Sequence, residues 1–230
     1  MDEADLDPEQ HRTALSGLSR VNAVSLSVAS VWRPLSTLID RRPGEAMSVI
    51  DVASGGGDVA VGLAERARRR GARLTSEGCD VSPTAIHYAT SKARKRGVDV
   101  RFFAHDVIRA PLPRAYDVVT CALFLHHLDD QTAVRMLREW YAAARLMLVI
   151  SDLNRSVSGL GLAWVGTHLL SASPIVHTDA MRSVRAAFTV EELRALVRRA
   201  GLPTALTSIS RQWPCRWRLV VAHGGSGVVR

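Results

Sequence analysis

The arrangement of apolar and polar residues changes character twice along the chain. Residues 9–40 place Leu15, Leu18, Val21, Val24, Val28, Val31 and Leu35 at steps of three and four, which predicts helix, bent or restarted at Pro34. From residue 45 to 151, short apolar runs alternate with amphipathic stretches of helical length. The runs predict strands at Met47–Val52, Arg73–Asp80, Val98–Phe103, Tyr116–Ala122 and Arg145–Ser151. Helices are predicted at Val59–Arg70, Pro83–Arg96 and Asp130–Ala143, the first two closed by Gly71 and Gly97. Strand–helix alternation with short loops implies crossover connections and a mostly parallel sheet. Continuous apolar runs such as Leu146–Ile150 suit strands covered on both faces.

The alternation lapses over 152–187, where small residues, Trp164, His168, His177 and arginines mix with apolar helical patches such as Leu160–Leu170. It resumes at Phe188–Ala200. Thr189 opens that helix with Glu192 three residues on, a capping-box spacing, and Gly201 closes it. Thr204–Arg211 and Arg216–Ala222 read as two last strands joined by a turn at Pro214, a hairpin that would add an antiparallel edge. The expected organisation is a helical cap at 1–44, an α/β core at 45–151, a substrate lid at 152–187, the last helix and strands of the core at 188–222, and a tail at 223–230.

Composition narrows the classes. A chain of 230 residues suits one domain with a full core. No apolar run approaches the roughly 18 residues of a membrane span. The acidic, polar start MDEADLDPEQ lacks the features of a secretory leader, so a cytoplasmic protein is expected. Cys79, Cys121 and Cys215 form no CxxC pair; buried free thiols are expected, with neither a disulfide framework nor a metal site. The net charge of +8 could indicate a nucleic-acid partner. Its arginines are scattered over helix faces such as Glu65–Arg70 and Arg194–Arg199, so solvated faces account for them and no nucleic acid is expected.

The strongest local signal is Val49-Ile50-Asp51-Val52-Ala53-Ser54-Gly55-Gly56-Gly57-Asp58, a strand running through an acid into consecutive glycines before a helix. Glycine permits positive φ and close approach of a ligand to the backbone. The helix that follows offers free N–H groups. The spacing is not GxGxxG, and no GK[ST] follows, so neither the dinucleotide nor the P-loop motif fits. Asp51 would repel a pyrophosphate but not a cationic ligand. Asp80, ending the second strand, can accept hydrogen bonds from a ribose diol, while Ser82 is the better cap for the helix at Pro83. After the third strand, Asp106 can accept from an adenine amino group or serve simply as a loop aspartate. The fourth strand opens into Cys121-Ala122-Leu123-Phe124-Leu125-His126-His127-Leu128, a segment able to line a pocket.

This succession of glycine loop, Asp80, Asp106 and the Tyr116–Leu128 segment resembles the class I S-adenosylmethionine-dependent methyltransferases, within them the small-molecule branch of ubiquinone and menaquinone biosynthesis. Leu153-Asn154-Arg155-Ser156, His177-x-Asp179 and Phe188-Thr189 are similar to a bacterial subgroup associated with polyketide or lipid-like secondary metabolism. The resemblance implies a Rossmann-like fold with a seven-stranded, mostly parallel sheet and an antiparallel last strand, helices on both faces and an N-terminal helical cap. It implies S-adenosylmethionine as cofactor and S-adenosylhomocysteine as product. Asp51, Ala53, Gly55 and Gly57 would face the methionine part, Asp80 the ribose, Val81 and Val107 the adenine, and Asp106 its amino group, with Cys121 and Ala122 close by. Ala53 stands where the family has glycine.

The expected reaction is O-methylation of a small hydrophobic or phenolic metabolite by a monomer or homodimer. C-methylation of a quinone-type precursor is an alternative. A hydroxyl acceptor must lose a proton, and histidine is the natural base near neutral pH. His126, His127, His168 and His177 are candidates, with His126 and His177 foremost. Trp32 and Trp164 could pack the acceptor, though core packing is the expected use of each. A nucleic-acid methyltransferase would need an Asn/Asp-Pro-Pro-Tyr or Pro-Cys segment after the fourth strand, where Cys121–Phe124 offers neither. A non-catalytic S-adenosylmethionine-binding domain is the remaining reading.

Overall fold

The computed structural model describes residues 26–170 and 174–224. Seven strands form one sheet: β1 Met47–Val52, β2 Leu74–Asp80, β3 Val100–Ala104, β4 Tyr116–Ala122, β5 Ala144–Leu153, β6 Thr207–Gln212 and β7 Arg216–Ala222. Their order is β3-β2-β1-β4-β5-β7-β6. The first five pair in parallel, and β7 runs antiparallel to both β5 and β6. The chain works outward from β1 to β3 and then returns to lay β4 on the other flank of β1. That reversal opens a crevice at the carboxyl ends of β1 and β4, which crossover connections leaving in opposite directions cannot cover.

Successive residues of the strands feed opposite cores. Val118, Met147 and Val149 pack with Val31, Leu35 and Leu38 of α1 (Ser27–Asp40) and with Val59 and Leu63 of α2 (Asp58–Arg69). Val119, Leu148 and Ile150 pack with Trp140 of α4 (Asp130–Ala143) and with Leu193 and Leu196 of α7 (Val190–Arg199). A third, smaller cluster joins α3 (Pro83–Lys95) to α2, where Ala93 meets Ala60 and Ala64. Burying each Val or Leu contributes roughly 1.5–3 kcal/mol. The two-sided burial explains why the strands carry continuous apolar runs.

The predicted boundaries hold closely where turn chemistry marks them. β1, β4 and α4 begin and end as expected, and Ser82 and Thr189 cap α3 and α7, the latter in a complete capping box with Glu192. Residues 152–187 contain α5 (Val157–Leu170) and α6 (Pro174–Ala186). The carboxyl-terminal hairpin adds the expected antiparallel edge. β7 is inserted between β5 and β6, and β6 is the edge strand. Burial explains the order: Trp217, Leu219 and Val221 are fully buried, and such a strand needs a neighbour on both sides. Trp164 is 54% exposed, which corrects its expected place in the core. The helical stretch expected over 9–25 lies outside the described residues.

Pro34 sits inside α1 without ending it. It has no N–H to give to the carbonyl of Ser30, four residues back. Arg218 of β7 supplies the missing donor, its Nη1 donating to Ser30 O at 3.1 Å. The interruption thus becomes an anchor to the sheet. α1 also lies close on α2, because a Cβ on Gly62 would stand 2.6 Å from a methyl of Val28. Gly62→Ala would gain about 1 kcal/mol in helix propensity but force α1 outward. Overpacking of this kind costs roughly 1–3 kcal/mol. Chemical denaturation should therefore show Gly62→Ala less stable than the parent, with earlier proteolysis ahead of residue 40.

Candidate functional site

The glycine loop joins β1 to α2 through a run of left-handed backbone: Ala53 has φ 52°, Gly55 50° and Gly57 75°. Gly57 is obligatory on two grounds, since a Cβ there would also lie 2.8 Å from both Ala89 and Phe102. Ala53 is the position where the resemblance expects glycine, and it accepts the same left-handed angle at a cost of about 1–2 kcal/mol. Leu123, just past β4, is likewise at φ 58°. Two non-glycine residues in this region therefore flank the crevice. Such strain gathers at functional sites.

Asp80 closes the loop from the neighbouring strand. Its Oδ2 accepts from Gly55 N at 2.8 Å and its Oδ1 from Ser82 N at 2.9 Å. Each carboxylate oxygen retains a further acceptor position. Val81, directly after it, is 68% exposed, a large apolar side chain left uncovered beside the loop. Asp106 caps its own turn, with Oδ1 accepting from Ile108 N and Arg109 N, and Val107 beside it is buried. Buried Ser54 Oγ and His105 Nε2, at the ends of β1 and β3, have no hydrogen-bond partner among the described residues. Buried polar atoms are rarely left so. A polar ligand lying across these strand ends would satisfy both.

Asp51 is 2% exposed and accepts from Thr120 Oγ1 at 3.0 Å. Burial pushes its carboxyl up to about 7, with Asp58 and Asp80 adding repulsion against the hydrogen bonds from Thr120 and Ala60. Cys79 and Cys121 are buried, and Cys215 is half-buried. Burial drives the Cys79 thiol up to about 12 and Cys121 well above its ordinary value, so neither is a nucleophile near neutral pH. Ala122, half-buried, follows Cys121 at the mouth.

On the other side of the crevice, the short helical turn Leu125–His127 carries His126, which is 6% exposed. Its Nδ1 lies 2.7 Å from Oδ1 of Asp152, and its backbone N donates to Oδ2 at 3.1 Å. His127 is exposed, its ring 4.2 Å from that of His126. α6, which carries half-buried His177, packs on this turn. His168 lies on α5, with its side chain outside the described residues. Asp152 was missed because β5 was expected to end at Ser151, leaving the aspartate in the insertion. The signal that picked out Asp51 and Asp80, an acid at a strand's carboxyl end, would have found it.

Residues 49–145 match the model of a methyltransferase-domain family. The ubiquinone biosynthesis O-methyltransferase of Thiobacillus denitrificans is 31% identical over 172 residues, 71% of this chain and 68% of that protein. The class of the chain follows from that coverage. The chain belongs to the class I S-adenosylmethionine-dependent methyltransferases. A demethylmenaquinone methyltransferase of Deinococcus radiodurans is 33% identical over 135 residues, covering 57% of this methyltransferase and about half, 53%, of the relative. Solved structures agree in fold. Magnesium protoporphyrin IX methyltransferase from Synechocystis, with bound S-adenosylhomocysteine, gives a TM-score of 0.62 at 20% identity over 90% of this chain and 86% of that one. The plantazolicin methyltransferase BpumL gives 0.67 at 14% identity over 96% and 91%. S-adenosylmethionine is the methyl donor of the family, and the left-handed loop, the two unpartnered polar atoms and exposed Val81 fit it. No helix among the described residues is long and apolar enough to cross a membrane.

Two expectations follow for this methyltransferase. Ala53→Gly relieves the left-handed strain and should raise the unfolding free energy by about 1 kcal/mol in denaturant titration. Asp51 titrates at 3.8 when unfolded and about 7 when folded. Between these values the folded state holds a proton that the unfolded state has lost, so stability falls as pH rises through the window and the penalty is complete above about 7. Asp51→Asn should flatten this slope and be more stable at pH 8, by roughly a few kcal/mol, as measured by unfolding at a series of pH values.

Proposed function

We propose that this methyltransferase O-methylates a small hydrophobic or phenolic acceptor, of the polyketide or lipid-like kind, with His126 as the base. The observation that carries this reading is His126 itself. It stands at the carboxyl end of β4 across the crevice from the glycine loop, with one ring nitrogen engaged and Nε2 free of hydrogen bonds among the described residues. In this reading Asp51, Ala53, Gly55 and Gly57 hold the methionine part of the donor. Asp80 takes the ribose, Val81 and Val107 flank the adenine, Asp106 takes its amino group, and Cys121 and Ala122 line the approach to the methyl. S-adenosylmethionine supplies a methyl carbon on a sulfonium, open to in-line attack.

The hydroxyl of the acceptor loses its proton to Nε2 of His126. Its oxygen forms the new bond to carbon as the carbon–sulfur bond breaks. α5 and α6 form the acceptor side, and the helix before β1 caps the donor. α5 exposes Val157, Leu162, Trp164 and Val165, an apolar surface suited to a hydrophobic acceptor. The similarity to ubiquinone biosynthesis O-methyltransferases supports oxygen as the methylated atom. Methylation of a ring carbon in a quinone-type precursor is the second reading, supported by similarity to a demethylmenaquinone methyltransferase.

The test is a panel of hydroxylated benzoates, naphthols and quinols with S-adenosylmethionine, followed by S-adenosylhomocysteine formation and NMR of the product. A methyl ether is expected, with His126→Ala lowering kcat roughly 10²–10⁴-fold. Wild-type kcat in both His126→Ala and His177→Ala would remove the base, and a carbon-bound methyl would favour the second reading.

A further inference from the structure

We infer that Asp152 is a positioning residue, which fixes His126 with its proton on Nδ1, and that Arg216 anchors this pair to helix α1. The inference rests on the proposed role of His126 as base. Asp152 ends β5 and is fully buried. Burial works to raise its carboxyl, but His126, the Leu153 N–H and Arg216 together outweigh it and hold the carboxyl below its ordinary value. Asp152 is therefore ionised at neutral pH, and an ionised carboxylate can only accept hydrogen bonds. The 2.7 Å contact then requires Nδ1 to carry the proton, which leaves Nε2 bare in the neutral ring. That nitrogen can take a proton from a hydroxyl, and the resulting imidazolium gains the full attraction of the buried carboxylate. The same arrangement of carboxylate, imidazole and hydroxyl underlies triad catalysis on unrelated folds.

The carboxylate has support behind it. Arg216 of β7 is 1% exposed and acts on Asp152 through its charge. Its Nη1 donates to Ser27 Oγ at 2.7 Å and its Nη2 to Ser151 O at 3.2 Å. Ser151 Oγ in turn donates to Ser30 Oγ at 2.9 Å. The first turn of α1 is thereby joined to β5, which carries Asp152, and to β7, which carries Arg216. Groups facing His126 are Asp152 from β5, with Arg216 behind it, and His127 alongside. α6 packs on the turn and carries half-buried His177, with Arg182 and Arg185 exposed on the same helix.

The first measurement is ¹⁵N NMR of the His126 ring in the full chain saturated with S-adenosylhomocysteine. We expect protonated Nδ1 and bare Nε2 in the parent protein, and a changed tautomer distribution in Asp152→Asn. A proton on Nε2 in the parent, or unchanged shifts in the variant, would overturn the inference whatever the acceptor. The second measurement uses a phenol methylated in the panel above. Asp152→Asn should bind S-adenosylmethionine within about threefold of the parent, yet lose roughly 10²–10⁴-fold in kcat. Its rate should climb with pH as the phenol ionises unaided, and adding Asp152→Asn to His126→Ala should cost little more.

If Asp152→Asn fails to fold, Asp152→Glu keeps the charge while displacing the carboxylate, and at least a tenfold loss of kcat is expected. Wild-type kcat in whichever variant folds, or losses that add fully in the double variant, would overturn the inference. Wild-type kcat in His126→Ala would instead strike the underlying base assignment. Absence of turnover on the whole panel would count against the proposed reaction and leave the ring-tautomer result to decide the inference.

Discussion

The structure turns on one carboxylate held where water cannot reach it. Asp51 lies at the point where the sheet reverses direction, and the reversal creates a crevice that no crossover helix can roof. Placing an acid there is costly, and the carboxyl responds by holding its proton up to about pH 7. A cation arriving in the crevice changes that balance, because its charge stabilises the ionised form. Asp58 and Asp80 add to the negative potential. The end of β1 thus favours a cation over an anion by charge alone. In the proposed placement of the donor, a sulfonium and an ammonium meet attraction where a pyrophosphate would meet repulsion.

The opposite side is organised by hydrogen bonds that reach far along the sequence. β7 enters the sheet last and antiparallel, and it brings two arginines to the crevice. Arg218 fills the gap that Pro34 leaves in α1, and Arg216 joins Ser27 to the backbone of β5. The helix covering one face of the sheet is therefore secured from the chain's other end. Asp152, fully buried between His126 and Arg216, is a charge that the fold retains only because both partners are in place.

Local chemistry explains which parts of this were legible in the sequence. Local marks fix the end of β1, where the glycine loop begins, and the start of α4, capped by Asp129. The donor loop was readable because it uses local backbone angles that few residues tolerate, and Asp80 because it ends a strand at an expected turn. β5 was read two residues short. Its extension to Leu153 depends on pairing with Arg216 and Trp217, more than 60 residues downstream, and no local signal reports such a partner. Asp152 lies in that extension. The same long-range pairing sets the order within the expected antiparallel hairpin, β7 against β5 and β6 outermost. Ala53 looked in sequence like a lost glycine; the structure keeps the glycine's φ and bears the strain.

The two sides of the crevice differ for a physical reason. The donor is constant across a family, so the strand ends that meet it can be built from fixed backbone and short acids. An acceptor varies, and in the proposed reading the segment that meets it has no periodic constraint except to be helical and apolar where it touches. α5 shows this directly: it leaves Val157, Leu162, Trp164 and Val165 in solvent, which a helix serving only the core would turn inward. His126 sits at the seam. Its turn follows a strand of the sheet and packs on α6. In the proposed reading, a base tied to the sheet through Asp152 and Arg216 stays fixed while α5 and α6 adapt to the acceptor.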